Sequence, residues 1–169
     1  MIELVLGGAR SGKSAYAQQL AIDSGLAVKY IATATGDDGE MQQRIRRHQE
    51  DRPVDWLTIE EPVSLASILQ KHASNDHCLL VDCLTLWLSN LLCLEDEKRF
   101  HLELTALLEL VEQLPGHIIF VSNETGLGII PMGELSRRYC DEAGLLHQRL
   151  ASLCDSVTFM VAGLAQKLK

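Results

Sequence analysis

A glycine-rich loop near the start of the chain has the residue types needed to hold a polyphosphate. Residues 7–14 read GGARSGKS and follow the apolar run Ile2–Leu6. Glycines let backbone N–H groups turn towards phosphate oxygens, and the N-terminus of a following helix adds partial positive charge. Lys13 would place a full charge at the β- and γ-phosphates, and the Ser14 hydroxyl suits a bridging Mg²⁺ ion. The pattern predicts that a nucleotide is bound by Gly7, Gly8, Ala9, Arg10, Ser11, Gly12, Lys13 and Ser14.

A second candidate for nucleotide chemistry is the carboxylate of Asp82, which follows the apolar run Cys78–Val81. An Asp in this position often marks no more than a strand end. In proteins with a glycine loop of this kind, however, an Asp at the end of a neighbouring strand helps to hold the Mg²⁺ ion. We therefore predict Ser14 and Asp82 as metal ligands for Mg²⁺ with GTP or ATP. The Asn-Lys-x-Asp pattern that reads guanine in one class of GTPase is not present, so this reasoning leaves the base open.

A charged segment further along the chain carries a candidate nucleophile. Glu40, Arg44 and His48 recur every four residues and would share one face of a helix. A guanidinium beside the imidazole disfavours the protonated ring, and the neutral ring is the nucleophilic form. From spacing alone, the segment is more typical of a solvated, charge-striped helix with an incidental histidine, because exposed charged helices are so common.

Strands and helices that alternate along the chain must position these residues. Apolar runs, several rich in β-branched residues, predict strands at Ile2–Leu6, Val28–Ala32, Trp56–Ile59, Cys78–Val81, Ile118–Val121 and Val157–Val161. Amphipathic stretches predict helices at Lys13–Asp23, Asp38–Glu50, Val63–His72, Leu84–Leu92, Glu97–Gln113 and Glu134–Leu153. This alternation predicts an α/β fold with a mostly parallel sheet flanked by helices. Without a low-complexity linker or an internal repeat, residues 1–169 are expected to form one P-loop NTPase-like domain.

Composition restricts the partners that the chain is expected to have. The 169 residues carry a formal net charge of -8. A negative chain argues against nucleic acid or an anionic membrane as the main partner, because both favour clustered Lys and Arg. The basic cluster of Arg44, Arg46 and Arg47 is small.

Cysteines and apolar segments give an expectation about location. The five cysteines are odd in number, include no C-x-x-C pair and lie mostly in apolar segments, as is typical of buried thiols in a reducing compartment. The chain shows no basic-then-apolar leader and no apolar stretch of membrane-spanning length. We therefore expect a cytoplasmic protein without a membrane span.

Six segments taken together resemble a known enzyme family. They are GGARSGKS, Tyr30–Thr35, the stretch Arg44-Ile45-x-x-His48-x-x-x-Arg52-Pro53, Trp56-x-Thr58-x-Glu60, Val81–Thr85 and Ser122–Pro131. Their content and order resemble the bifunctional adenosylcobinamide kinase and adenosylcobinamide-phosphate guanylyltransferase of cobalamin synthesis. The resemblance covers nearly the whole chain, and only the loop is generic. The chain departs from the family at His147-Gln148, where Asn-Gln is usual, and in the tail Gly163–Lys167, which lacks a proline often found there.

The resemblance implies two reactions on one scaffold. The hydroxyl of the cobinamide aminopropanol arm would be phosphorylated by ATP or GTP, and GMP would then pass from GTP to that phosphate, giving adenosylcobinamide-GDP. His48 would carry GMP covalently and act with Lys13 in catalysis. Glu60 would accept hydrogen bonds from guanine. Further nucleotide-binding positions implied by the match are Thr33, Ala34, Thr35, Gln49, Glu50, Asp51, Arg52 and Asp82.

The resemblance also implies partners and leaves a mechanical question. The acceptor is a corrinoid small molecule, and the family is typically a homotrimer. We assign Asn123–Pro131 to corrinoid or interface contacts, although its glycines would also suit a structural turn.

The kinase needs its acceptor near the γ-phosphate, whereas His48 must face the α-phosphate. Either the His48 helix moves or the nucleotide binds in two poses.

Two other functions fit part of the sequence. A P-loop small-molecule kinase without nucleotidyl transfer would explain the loop and Asp82 but not residues 44–52. A nucleotide-dependent switch or assembly protein would bind GTP tightly and turn it over slowly, but no partner-binding extension or low-complexity arm accompanies the loop.

Overall fold

Strands and helices alternate along the chain in a computed structural model that describes residues 1–35, 53 and 55–169. The strands are β1 (Ile2–Gly7), β2 (Ala27–Ala32), β3 (Leu57–Glu60), β4 (His77–Asp82), β5 (His117–Asn123), β6 (Ser156–Val161) and β7 (Leu164–Lys167). The helices are α1 (Lys13–Asp23), α2 (Leu65–His72), α3 (Leu84–Cys93), α4 (Glu97–Val111) and α5 (Glu134–Leu153). The helix predicted at Asp38–Glu50 lies outside the described residues.

The strands form one sheet in the order β3-β2-β4-β5-β1-β6-β7. Every neighbouring pair is parallel except β6 and β7. This arrangement confirms the predicted α/β class with a mostly parallel sheet flanked by helices. Strand β1 lies between β5 and β6, and its last residue, Gly7, is in register with Asn123 and Met160. The glycine loop therefore starts at the carboxyl edge of the sheet, where open α/β folds bind their ligands.

Strand residues alternate between two apolar layers, one on each face of the sheet. On one face Leu4, Val81 and Phe120 pack with residues of α2, α3, α4 and α5. On the other face Val5 and Val121 pack with residues of α1. Because helices cover both faces, the central strands are mostly apolar, as the sequence predicted; buried Glu3 of β1 is paired with His117 of β5.

Strand β7 was not predicted from the sequence. It pairs antiparallel with β6 after a tight turn in which Ala162 and Gly163 both have positive φ. Its four residues are all exposed, so Leu164–Lys167 carries no apolar run that would mark a strand.

The cysteines differ in environment more than the sequence suggested. All five are free thiols, and burial raises the pKa of Cys78 to about 11 and that of Cys154 to about 12. Cys83 and Cys140 are half-buried, and Cys93 is exposed at the end of α3, so the expectation of buried thiols is wrong for Cys93. Within the described residues, no helix combines the length and the apolar character required to cross a membrane.

Candidate nucleotide site

The glycine loop between β1 and α1 has a backbone shape that requires glycine at two positions. A Cβ atom on Gly7 would lie 2.5 Å from Ser11 Oγ and 2.7 Å from the backbone oxygen of Met160. Gly12 has φ of 94°, in the left-handed region that favours glycine. The α-helical hydrogen bonds begin there, because Tyr16 N donates to Gly12 O at 3.0 Å. The loop is thus closely packed and leads directly into the N-terminus of α1.

The turn between β6 and β7 supports the loop from its other side. The backbone N–H of Gly163 donates to the backbone oxygen of Ser11 at 2.9 Å. A Cβ atom on Gly12 would lie 3.3 Å from Gly163 Cα, so the two turns are in close contact.

Lys13 and Ser11 give the loop the properties of an anion site. The Lys13 ammonium donates to the backbone oxygen of Gly8 at 3.1 Å, and the residue is 9% exposed. Burial lowers the pKa of Lys13, and the neighbouring Cys83 and Asp82 oppose this shift. Ser11 Oγ is buried and has no hydrogen-bond partner within the described residues. A buried hydroxyl without a partner beside a cation and a helix N-terminus fits a phosphate group.

Asp82 and Ser14 carry the oxygen atoms that were predicted to hold a metal ion. Ser14 is half-buried in the first turn of α1, and Asp82 ends β4. The sequence placed Asp82 on a strand neighbouring β1, and this is wrong, because β5 lies between β1 and β4. Two strand spacings separate the strands by about 10 Å. Asp82 nonetheless influences the Lys13 ammonium, so the two side chains face one region. A hydroxyl and a carboxylate suit Mg²⁺, which takes few protein ligands and completes its shell with phosphate oxygens and water.

Thr33 joins the ends of β2 and β4, and its hydroxyl is already used. Thr33 Oγ1 donates to the backbone oxygen of Cys83 at 2.6 Å and accepts from Cys83 N at 3.0 Å. The amide of Asn90 on α3 donates to Thr33 O at 2.8 Å. Thr33 is fully buried, whereas Ala34 is half-buried and Thr35 is exposed. Among these three candidate nucleotide contacts, the polar side chain open to a ligand is that of Thr35.

The structure does not bring Glu60 to the glycine loop. Glu60 is exposed at the end of β3, which is an edge strand of the sheet. Four strand spacings separate β3 from β1, so the two strand ends lie roughly 19 Å apart along the carboxyl edge. The remaining predicted site residues lie outside the described residues; they are His48, Gln49, Glu50, Asp51 and Arg52.

A buried polar cluster beside the loop was missed by the sequence reasoning. His147 Nε2 and Ser122 Oγ are 2.8 Å apart, and His147 Nδ1 lies 3.7 Å from Glu124 Oε2. The backbone N–H of Glu124 donates to Gly7 O at 3.0 Å, so the cluster adjoins the first loop residue. Burial lowers the pKa of His147, and Glu124 opposes this shift. The sequence did contain a signal for this cluster. Ser122 and Glu124 come at the end of the apolar run Ile118–Val121, just as Asp82 comes at the end of Cys78–Val81.

The fold and the loop define the class of the chain, a P-loop nucleotide-binding protein. The crystal structure of the RadB recombinase has the same fold, with a TM-score of 0.54 and 16% identity over 94% of this chain and 73% of that one. At this identity the likeness shows the fold alone.

The sequence comparisons identify the family. A profile of the family described as cobinamide kinase / cobinamide phosphate guanyltransferase matches residues 3–168, and the chain belongs to this family. It is 60% identical over 169 residues to the bifunctional adenosylcobalamin biosynthesis protein CobP of Pseudomonas aeruginosa, covering all of this chain and 98% of that protein. It is 35% identical over 182 residues to CobU of Salmonella typhimurium, which has the same bifunctional description, with both chains covered in full. The resemblance noted from the sequence is confirmed.

Proposed function

We propose that the chain catalyses both reactions that its family name describes and that one nucleotide site serves both. The reactions are the phosphorylation of adenosylcobinamide by ATP or GTP and the transfer of GMP from GTP to adenosylcobinamide phosphate. The observation that carries the proposal is the loop. Here the buried Lys13 ammonium and the start of α1 adjoin the Ser11 hydroxyl, which has no hydrogen-bond partner in the part of the chain that the structure describes. The family membership of residues 3–168 supports the choice of acceptor.

In the kinase reaction the acceptor hydroxyl oxygen attacks the γ-phosphorus. A new oxygen–phosphorus bond forms, the bond to the β,γ-bridging oxygen breaks, and the nucleoside diphosphate leaves. The hydroxyl proton passes to water. Lys13 and the loop N–H groups hold the β- and γ-phosphates and stabilise the charge that develops on the leaving oxygen. Because the loop packs against Met160 and accepts a hydrogen bond from Gly163 N–H, these donors need little rearrangement during the reaction.

Ser14 and Asp82 are the residues that would hold Mg²⁺. When bound, the ion offsets phosphate charge and aligns the β- and γ-phosphates. Asp82 also favours the protonated form of Lys13, which burial disfavours. The same carboxylate thus opposes, together with Cys83, the effect of burial on the ammonium that binds phosphate.

In the second reaction a ring nitrogen of His48 attacks the α-phosphorus of GTP. A nitrogen–phosphorus bond forms, the α,β-bridging bond breaks, and pyrophosphate leaves from the loop. A phosphate oxygen of adenosylcobinamide phosphate then attacks the same phosphorus, the nitrogen–phosphorus bond breaks, and adenosylcobinamide-GDP leaves with His48 restored. His48 and the neighbouring residues 49–52 lie outside the described residues, so this step is supported by the sequence match.

The position of Glu60 supports an extended pose for GTP in this second reaction. With its phosphates at the loop, the nucleotide would run along the carboxyl edge, past Asp82, Ala34 and Thr35, towards Glu60 on β3. The Glu60 carboxylate would accept hydrogen bonds from guanine N1–H and N2–H, a donor pattern that adenine lacks.

We also propose that the enzyme is cytoplasmic, which its free thiols support, and that it is a homo-oligomer, as the family resemblance implies.

Labelled GTP tests the proposal. The full-length enzyme is incubated with α-labelled or γ-labelled GTP, denatured and counted for bound label. We expect α-label on the protein and no γ-label, with an acid-labile and alkali-stable bond typical of a phosphoramidate. His48→Asn should lose the label and GMP transfer, whereas His101→Asn, an exposed site on α4, should keep both. Phosphorylation of cobinamide by an enzyme that never retains α-label would contradict the proposal and leave a kinase alone.

A further inference from the structure

The segment that follows β5 arches over the first half of α5 and encloses a cavity of about 650 Å³. The arch is fixed at both ends. Near β5, Cys140 Sγ donates to the backbone oxygen of Thr125 at 3.8 Å. Near α5, the Arg137 guanidinium donates to the backbone oxygen of Pro131 at 3.3 Å. Between these two attachments Gly128, Ile129 and Ile130 line the cavity together with Gly144 of the helix.

The cavity adjoins the nucleotide loop. Asn123 is in register with Gly7, and the next residue, Glu124, donates its N–H to Gly7 O. Thr125, the first residue lining the cavity, is two residues beyond Asn123, a separation of at most about 7 Å. A ligand in the cavity could therefore extend one arm to the phosphates while its bulk stayed outside the loop.

The lining of the cavity differs from that of the nucleotide loop. It contains one cation, Arg137, and one anion, Asp141, together with the Gln148 amide and the apolar side chains of Ile130 and Leu145. Such a surface is close to neutral and mixes hydrogen-bonding groups with apolar ones. It suits an uncharged ligand with polar edges better than a polyanion.

The rim of the cavity is unusually apolar for an exposed surface. Ile129 and Ile130, which line the cavity, are 97% and 77% exposed. Leu127 and Met132, each next in sequence to a lining residue, are 80% and 96% exposed. Large apolar side chains grouped in this way on a surface mark a binding face. A flat apolar ring could rest on them while its polar rim reached the groups inside the cavity.

We infer that this cavity binds the corrin ring of the acceptor and directs its aminopropanol arm to the loop. Cobinamide has this chemistry, because its flat macrocycle has apolar faces and carries primary amides around the edge. The amides would pair with Gln148, Arg137 and Asp141, and the ring would contact the apolar rim. The inference rests on the proposed function, since it names where that function's acceptor binds.

Gly144→Leu tests the inference by filling the cavity. Apart from the backbone of its own helix, no atom of the described residues lies within 4 Å of a Cβ added at Gly144. Leucine also favours helices more than glycine does, so the helix should tolerate the change. We expect the KM for cobinamide in the kinase reaction, and its Kd in equilibrium dialysis, to rise tenfold or more. Binding of GTP should be unchanged. Arg149→Leu adds a leucine on the same helix outside the cavity and should leave both constants as in the wild type.

Gln148→Leu provides a second variant that keeps the cavity volume nearly constant. Loss of the amide should raise the same KM about fivefold, the cost of one ordinary hydrogen bond. The inference is overturned, with the proposed function intact, if the wild type phosphorylates cobinamide and both variants stay within twofold of its KM. It is also overturned if Gly144→Leu changes the molar mass in light scattering without changing the KM, since the cavity is then a contact between copies. A wild type that neither binds nor phosphorylates cobinamide overturns the proposed function itself.

Discussion

At the scale of single residues, burial decides which side chains can act. Burial lowers the pKa of Lys13, and Cys83 and Asp82 oppose this shift. Thr33 is more deeply buried, and its hydroxyl both donates to and accepts from the backbone of Cys83. Of these two predicted nucleotide contacts, the Lys13 ammonium has N–H donors for phosphate besides the one given to Gly8 O, whereas the Thr33 side chain stabilises the edge of the sheet.

His147 should make the stability of the fold depend on pH. Burial lowers its pKa in the folded state, so below the ordinary histidine pKa of about 6.5 the unfolded chain binds a proton that the folded chain does not. The contribution of His147 to the free energy of unfolding is therefore present above that pH and is lost as the pH falls. We expect His147→Asn to cost about 1–2 kcal/mol at pH 8, since Ser122 loses its partner, and to flatten the decline towards pH 5.

Urea unfolding between pH 5 and pH 8 measures this effect. His101→Asn, at an exposed site, provides the control and should follow the wild-type curve. Parallel curves for His147→Asn and the wild type would show that His147 does not titrate as its environment indicates.

Residues whose roles are set by their sequence neighbours could be predicted from the sequence. Residues whose roles depend on contacts between distant segments could not. Lys13 and Ser14 were predicted as phosphate and metal contacts because the lysine and the hydroxyl directly follow the glycine loop in the sequence. The Ser122–His147 pair was not, since its members are 25 residues apart and meet only when α5 packs beside β5. Asp82 was selected by its place at a strand end, but its distance from the loop depended on a strand order that the sequence does not encode locally.

At the scale of elements, the loop between β1 and α1 is held by its neighbours as much as by its own residues. Gly7 lies against Met160 of β6, and Ser11 accepts a hydrogen bond from the β6–β7 turn.

The six predicted strands appear within two residues of their expected ends because the central ones are mostly apolar runs. Strand β7 escaped prediction because it is exposed and owes its shape to the turn at Ala162-Gly163.

Gly7→Ala and Gly8→Ala should separate packing from chain flexibility in this loop. The Gly7 methyl group would meet the backbone of Met160, which can yield only if β1 and β6 shift. A Cβ on Gly8, in contrast, would have no atom of the other described residues within 4 Å, apart from its chain neighbours. We expect Gly7→Ala to lower the free energy of unfolding by about 1–3 kcal/mol and Gly8→Ala to change it by about 0.5 kcal/mol or less. Urea unfolding of the two variants provides the measurement. Equal losses would mean that the close approach at Gly7 does not constrain the fold.

At the scale of the whole molecule, the strand order sets the distance over which the enzyme must act. The loop and Glu60 lie at opposite parts of one sheet edge, roughly 19 Å apart. The sequence placed both in one nucleotide site but could not give this distance, because it depends on β2, β4 and β5 lying between them.

Glu60→Gln should therefore affect the two reactions differently. The glutamine amide would present a donor to guanine N–H groups, so the KM for GTP in GMP transfer should rise tenfold or more, equivalent to about 1.4 kcal/mol. The kinase reaction with ATP should stay within twofold, because it does not require guanine. Steady-state kinetics of each reaction give the result, with Glu109→Gln on exposed α4 surface as the matched control. An equal loss in both reactions would place Glu60 outside base recognition.

The position of β1 also determines when the molecule becomes competent during its synthesis. The strand is made before β5 and β6, with which it pairs. The loop that follows β1 gains its support from Gly163, about 150 residues further along the chain. Contacts between such distant segments form late because closing long loops costs entropy. A nascent chain therefore leaves the ribosome with its phosphate loop unsupported, and the loop reaches its binding shape only once the residues around 163 are free to fold.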